Sequence, residues 1–299
     1  MKRLLTSALA LLLLVAAAST ARAETKLTTE VFTSSPQGFL VTSTLVAGEK
    51  EAILIDGQLT LSDAHRLVGM LLDSKKTLTT VYVTHWHPDH YFGLGVVKQA
   101  FPKVKIVAQP ATVAEIKKTW AAKVKQWSPM FGANLTTKPL IPSPLSSNVL
   151  MLEGQPLEIH GPVQGDASTD SYVWIPSIKT VVLGDIAYQG VFPWTAETNA
   201  GSRAGWVKTL DEVGALGATT VIAGHKDPKL KDDASSITAT RSYLKDFDAA
   251  VASSKSATEL QARMKEKYPK LAMEIVLQIG AGAQFPAEPT AATPAAAKK

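Results

Sequence analysis

The stretch THWHPDH, residues 84–90, carries more chemical information than any other part of this sequence. It directly follows the apolar run VYV, and it holds three of the six histidines of the chain together with Asp89. Imidazoles and carboxylates are costly to desolvate unless something pairs with them, so a cluster this dense indicates a common partner. A metal ion is a partner that imidazole and carboxylate groups can hold jointly.

Four apolar runs of the chain end in a residue that can bind a metal ion. The runs are AILID, VYVTH, VVLGD and VIAGH, and they end at Asp56, His85, Asp185 and His225. Such runs predict β-strands, and strand ends at one edge of a sheet are a rigid place to gather ligands from distant parts of a chain. The sequence therefore predicts a metal site at a sheet edge.

The composition limits which side chains can bind a metal ion and which kinds of partner the protein can have. The 299 residues include no cysteine, so disulfides, thiolate ligands and a cysteine nucleophile are excluded. Without residues 1–23, which contain Lys2, Arg3 and Arg22, 28 basic residues stand against 26 acidic ones, a net charge of +2. This balance does not favour nucleic acid as a partner, and we expect a small-molecule substrate. The sequence does not predict an oligomeric state.

Both ends of the chain differ in composition from the middle. Residues 1–23 combine a cationic start, an apolar run and the cleavage pattern ARA, which predicts a secretory signal peptide. We therefore expect a periplasmic or secreted protein with no stable membrane anchor after cleavage. Residues 284–299 are rich in Ala, Pro and Thr and predict a disordered tail, which leaves 24–283 as a single domain.

The order of elements predicts two packed sheets with helices outside. Strand-like runs open the domain, an amphipathic helix follows at 60–76, and a longer helix is predicted at 112–127. The middle of the chain reads as hairpin-connected strands, and helices and one strand follow up to residue 267. Two sheets covered by helices would bury such a pattern.

The motifs HWHPDH, GD at 184–185 and GH at 224–225, in that order after LIDG, resemble those of the metallo-β-lactamase superfamily. The resemblance implies an α+β fold, the αββα four-layer sandwich, with a metal centre between the two sheet edges. It implies one or two ions, expected to be Zn²⁺ with iron or manganese as alternatives. It also implies hydrolysis by a metal-activated water.

The resemblance assigns the metal ligands residue by residue. They are His85, His87, Asp89, His90, Asp185 and His225. The family's usual third histidine of the first metal site has no counterpart here, and the alignment places either Gln164 or Asp166 at that position. His160 falls inside the preceding predicted strand. A single ion at the second site is therefore an alternative to a metal pair.

The same resemblance suggests catalytic roles. Asp89 would ligate the second metal and orient the nucleophile, and Tyr188, three residues after Asp185, resembles the tyrosine of superfamily lactonases. We expect Asp56 to hold the histidine loop by hydrogen bonds. The expected reaction is cleavage of an ester, lactone, thioester or amide. Metal binding without turnover, or iron-dependent oxidation, is the alternative.

Two further segments bear on the substrate. The helix at 112–127 carries an apolar stripe that includes Trp127, interleaved with lysines that include Lys123. The default prediction is packing against the sandwich with a solvated basic face, and a substrate lid is the alternative. Phe192 and Trp194 are expected near the mouth of the site, where they would line an apolar pocket.

Overall fold

The computed structural model describes residues 26–285. The predicted signal peptide, residues 1–23, lies outside the described residues, as do residues 286–299 of the predicted tail. Gln284, the first residue of that predicted tail, is the last residue of a helix, and its side-chain amide lies 3.3 Å from Thr198 O. Within residues 26–285, no helix combines the length and apolar character needed to cross a lipid bilayer.

The elements follow the predicted order, with additions. The strands are β1 (Thr28–Thr33), β2 (Thr42–Ala47), β3 (Glu51–Ile55), β4 (Thr77–Val83), β5 (Lys105–Ala108), β6 (Ser143–Pro144), β7 (Val149–Leu152), β8 (Gln155–Val163), β9 (Asp170–Ile175), β10 (Thr180–Val182), β11 (Tyr188–Gln189), β12 (Thr220–Ile222) and β13 (His225–Lys226). The helices are α1 (Leu61–Asp73), α2 (Leu94–Ala100), α3 (Pro110–Phe131), α4 (Ala200–Gly214), α5 (Ser235–Ser253), α6 (Ala257–Lys267) and α7 (Glu274–Gln284). Helix α7 has no counterpart in the sequence-based prediction.

The strands form two main sheets. The first has the order β1-β2-β3-β4-β5-β6 and the second the order β12-β10-β9-β8-β7. In the first sheet β3 and β4 run parallel, and in the second β10 and β12 run parallel. The carboxyl ends of each parallel pair therefore lie at the same edge of their sheet.

Side-chain alternation along the strands creates four layers. In β3, Ala52 and Leu54 pack with the cluster that includes residues of α1, α2 and α3, whereas Ile53 and Ile55 pack into the cluster between the two sheets. In the second sheet, the side chains of one face pack in the same way against helices α4 to α6. Because successive side chains of a strand point to opposite faces, each sheet needs an apolar partner on both sides. The four-layer αββα sandwich is confirmed.

The tips of the two sheets approach each other closely. Gly184, just after β10, has φ +50°, and a Cβ built there would lie 2.6 Å from Thr84 Oγ1 at the end of β4. A Cβ on Gly224 would lie 2.2 Å from Asp185 Oδ1. Only glycine permits both the left-handed backbone at 184 and these short approaches. Gly184 thus lets the tips of the two sheets meet, and Gly224 lets the tips of β12 and β10 lie close together within the second sheet.

Candidate metal centre

Four side chains from three parts of the chain meet at the junction of the sheets and form what we call the first group. They are His85, His87, Asp166 and Asp185, and one ligand atom of each lies within 4.8 Å of the others. All four residues are buried. His87 Nδ1 is 3.1 Å from Asp166 Oδ2, and His85 Nε2 is 3.7 Å from Asp185 Oδ2.

Three more side chains lie next to the first group and form what we call the second group, namely Asp89, His90 and His225. His225 Nε2 is 3.1 Å from Asp89 Oδ2. Asp185 lies between the groups, since its Oδ1 is 3.1 Å from His90 Nε2 and its Oδ2 is 3.3 Å from His225 Nε2. A single carboxylate is therefore placed to serve both groups.

Each of the four histidines in the two groups has one ring nitrogen that faces the other members of the groups. Its second ring nitrogen contacts a residue outside both groups. These outer contacts are His85 to Thr84 Oγ1 (3.1 Å), His87 to Glu197 Oε2 (2.6 Å), His90 to Asp56 Oδ2 (2.8 Å) and His225 to Phe39 O (2.7 Å). Ligating histidines characteristically have the other ring nitrogen hydrogen-bonded to such a carboxylate, carbonyl or similar group, which fixes the tautomer and the ring orientation.

Several inward-facing atoms lack a hydrogen bond. Among the described residues, buried His85 Nε2 and Asp166 Oδ1 have no partner, and buried His90 Nε2 and Asp185 Oδ1 are 3.1 Å apart but not in hydrogen-bond geometry. Buried polar atoms are normally satisfied, so a set of unsatisfied atoms that converge on one place requires a ligand. Imidazole nitrogen and carboxylate oxygen are suitable ligands for Zn²⁺, so the residues fit a metal centre.

The pKa values show how strongly the groups interact. Burial raises the pKa of Asp166 to about 6, against the opposing effect of His87. Burial alone would lower the pKa of His87, but Asp166 and Glu197 raise it well above its ordinary value. For Asp185 the effect of burial is outweighed by His225 and His90, and its pKa lies well below its ordinary value. Bound cations compete with protons for such ligands, so metal binding would release protons here.

Comparisons with known proteins agree with this geometry. The family model described as the metallo-beta-lactamase superfamily matches residues 36–225. The chain belongs to the metallo-β-lactamase superfamily. A search of curated proteins found no significant match.

Solved structures share the superfamily fold at low identity. The chain is similar to DIM-1 metallo-β-lactamase, with 19% identity, a TM-score of 0.53 and coverage of 73% of this chain and 92% of that one. It is also similar to a metallo-β-lactamase family protein from Thermus thermophilus, with 20% identity, a TM-score of 0.60 and coverage of 86% and 91%. A third similar structure is a metallo-β-lactamase from Pontibacter korlensis, with 19% identity, a TM-score of 0.51 and coverage of 74% and 96%. Identities this low support the fold alone.

The structure distinguishes the candidates for the position of the superfamily's usual third histidine. Asp166 lies in the first group, whereas the side-chain amide of Gln164 donates to Gly165 O at 2.9 Å and Gln164 is not among the gathered residues. His160 is within β8, where its ring stacks on Tyr172 with centroids 4.8 Å apart. The first group of this superfamily member therefore contains two histidines and two aspartates.

Tyr188 lies against both groups. Its hydroxyl donates to Asp185 Oδ2 at 2.8 Å and is 3.1 Å from Asp166 Oδ2, and its ring stacks on that of His225 with centroids 5.3 Å apart. Tyr188 also lines the cleft that opens beside the groups. Asp56 accepts hydrogen bonds from the backbone and hydroxyl of Thr84, both at 2.8 Å, in addition to its contact with His90. This agrees with the role expected for Asp56.

Two charged residues at the centre were not identified from the sequence. Glu197, in the segment between β11 and α4, contacts His87 through one oxygen and Lys123 Nζ through the other, each at 2.6 Å. Lys123 is buried with 7% exposure, so the prediction that it belongs to a solvated basic face is wrong. The amphipathic pattern of α3 groups Lys123 with exposed lysines such as Lys125, and its partner is 74 positions away in sequence.

The cleft beside the two groups is open to solvent, and residues of both groups line it. Phe192 and Trp194 line it, as expected from the sequence. Helix α3 contributes Lys123 and Trp127, and the unpredicted helix α7 contributes a further wall. An apolar cleft that adjoins convergent polar side chains is the usual setting for a small-molecule site.

Proposed function

We propose that this protein is an exported, zinc-dependent hydrolase that cleaves an ester, lactone, thioester or amide of a small molecule. The observation that supports this most strongly is the arrangement of the four imidazoles, each with one nitrogen facing the groups and the other fixed from outside. Superfamily membership and an adjoining apolar cleft support the same proposal.

The proposed mechanism assigns a task to each group of residues. Bound at these ligands, zinc would supply a hydroxide equivalent at neutral pH and polarise the scissile carbonyl. Asp89, which lines the cleft and lies beside His225, orients the attacking water. Tyr188 lines the cleft wall, and its hydroxyl, which donates to Asp185 Oδ2 in this structure, would turn to donate to the carbonyl oxygen of the substrate as charge develops on it. Asp185, which lies between the two groups, contacts histidines of both and keeps the groups next to each other.

A second candidate function rests on the composition of the groups. The second group has two histidines and one carboxylate, a donor set that also suits iron in oxygen-dependent enzymes. Iron-dependent oxidation, or metal binding without turnover, is therefore the alternative. Elemental analysis of the protein purified without added zinc separates a zinc from an iron protein.

The hydrolase proposal is tested with a panel of lactones, β-lactams and 4-nitrophenyl esters. We expect turnover that is abolished by a chelator, restored by Zn²⁺, and lost in His87→Ala. Metal-independent activity, or no activity on any of the three classes, would contradict the proposal. Export is tested separately by cell fractionation and by sequencing the mature N-terminus, which we expect to be Glu24.

A further inference from the structure

The walls of the cleft are apolar on three sides. Helix α3 presents Trp127, helix α7 presents Val276 and Ile279, and the segment after β11 presents Phe192 and Trp194. Trp127 and Trp194 pack against each other with ring centroids 6.3 Å apart. Burying apolar substrate atoms against such a surface favours binding, whereas desolvating charged substrate atoms there disfavours it.

A single cationic side chain, Lys123, lines the cleft outside the two candidate metal groups within residues 26–285. Its ammonium donates to Glu197 Oε1 at 2.6 Å and lies 4.9 Å from the centre of the Trp86 ring. Because Glu197 already neutralises this charge, the wall offers no unpaired cation to an anionic substituent. A substrate carboxylate placed against these walls would be desolvated without a cationic partner.

We propose that the cleft selects uncharged substrates with an apolar acyl or aryl group. Anionic substituents are disfavoured because Glu197 already pairs with Lys123, the cationic side chain of the cleft wall. This rests on the proposed hydrolase function, because it assigns a substrate class to that same site. The selectivity lies in the cleft wall, away from the atoms that react.

The first test compares esters that differ only in the acyl group. Across 4-nitrophenyl butanoate, hexanoate and octanoate, kcat/KM of the zinc-loaded protein should rise about threefold to fourfold per methylene group until the cleft is filled. The mono-4-nitrophenyl ester of adipic acid, which has the six-carbon chain with a terminal carboxylate, should be turned over about tenfold or more less efficiently than the hexanoate. A flat series, or an adipate ester as good as the hexanoate, would overturn the proposal.

A matched pair of variants places a new cation inside or outside the cleft. Ile279→Lys adds an unpaired ammonium to the half-buried wall position of α7, and Gln278→Lys adds the same charge at the neighbouring exposed position. The ratio of kcat/KM for hexanoate to that for adipate should fall several-fold in Ile279→Lys and stay unchanged in Gln278→Lys. Equal ratios in both variants would contradict the role of the wall charge.

A binding experiment separates this proposal from the hydrolase proposal. If no ester is turned over, calorimetry of the zinc-loaded protein with 2-butanone, 2-octanone and 7-oxooctanoate still tests the cleft. Tighter binding of 2-octanone than of the other two ligands would support the selectivity while the hydrolase function failed. Equal affinity for all three ligands, or no binding of any, would overturn the selectivity.

Discussion

At the scale of single residues, orientation of the imidazoles matters more than their number. Each of the four rings is fixed from outside by a different partner, of which two, Asp56 and Glu197, are carboxylates. A carboxylate that accepts from an imidazole N–H fixes the tautomer and makes the opposite nitrogen a better ligand. The outer contacts should therefore affect metal binding without touching the ion.

Glu197→Ala tests this at the first group. Loss of the contact with His87 Nε2 frees the ring, and we expect the affinity of the first-group ion to fall about 10-fold to 100-fold. The measurement is competition with a chromophoric chelator, and the electronic spectrum of the cobalt-substituted protein should change with it.

Two variants act as controls for Glu197→Ala. Glu197→Gln keeps an oxygen that can accept from His87, so it should recover part of the lost affinity. Glu212→Ala removes an exposed carboxylate of α4 and should have no effect. Equal affinities in Glu197→Ala and wild type would refute the orienting role.

Asp56→Asn tests the outer partner of the second group. Asp56 has φ 64°, a left-handed conformation that asparagine also tolerates, so the change removes charge without adding backbone strain. The single amide oxygen can accept at most two of the three hydrogen bonds that the carboxylate accepts from Thr84 and His90, and the NH2 group would face the remaining donor. We expect the free energy of unfolding of the metal-free protein to fall by about 1.5–3 kcal/mol in urea titrations. An unchanged unfolding midpoint would show that Asp56 is not needed to hold the loop.

Some of these residues can be predicted from sequence and others cannot. The histidines and aspartates of 85–90 are neighbours in the chain, and Asp185 and His225 end apolar runs, so local pattern identifies them. Asp166 lies in an irregular loop between β8 and β9, where no periodicity distinguishes it from Gln164. Lys123 and Glu197 pair across long sequence separations, which leaves no local signal.

At the scale of elements, helix α3 contacts the candidate metal centre through Lys123, which donates to Glu197. Lys123→Met keeps most of the apolar stem but removes the hydrogen bond to Glu197. We expect faster amide hydrogen exchange in α3 and a free energy of unfolding lower by about 1–3 kcal/mol. The exposed Lys125→Met on the same helix is the matched control. Identical exchange in the two variants would contradict an anchoring role for Lys123.

The turn between β2 and β3 is held by Glu153 from the β7–β8 turn. Its carboxylate accepts from the backbone N–H groups of Glu49, Lys50 and Glu51, and these hydrogen bonds lower the pKa of Glu153 to about 2. The folded pKa lies below the ordinary value of 4.5, so the stabilisation is fully present above pH 4.5 and is lost as the pH falls towards 2.

Glu153→Gln should therefore lower the urea midpoint of the metal-free protein at pH 6 and have a smaller effect at pH 3. Glu30→Gln, at an exposed position of β1, is the control. A difference between wild type and Glu153→Gln that stays constant or grows as the pH falls would contradict the assignment.

Helix α7 shows where element prediction fails. Its sequence contains two glycines and two alanines, and it begins after Met273, which has a left-handed conformation and provides no side-chain cap. It also merges into the Ala/Pro-rich composition that predicts a tail. Its helical state depends on tertiary burial of residues such as Val276 and Leu277, which sequence propensity does not register.

At the scale of the whole molecule, the fold was predictable because most strands and helices carry apolar faces that two packed sheets and outer helices can bury. The meeting of the two sheet edges was predictable only through the resemblance and the position of the ligand residues at strand ends. The role of Gly184, which permits that meeting, becomes interpretable once its contact distance to Thr84 is known.

Anomalous diffraction from crystals of the zinc-loaded protein, collected at the zinc absorption edge, tests the metal centre most directly. We expect two peaks, one among His85, His87, Asp166 and Asp185 and the other among Asp89, His90 and His225 with Asp185 between them. Zinc bound elsewhere, with no peak among these seven residues, would contradict the account.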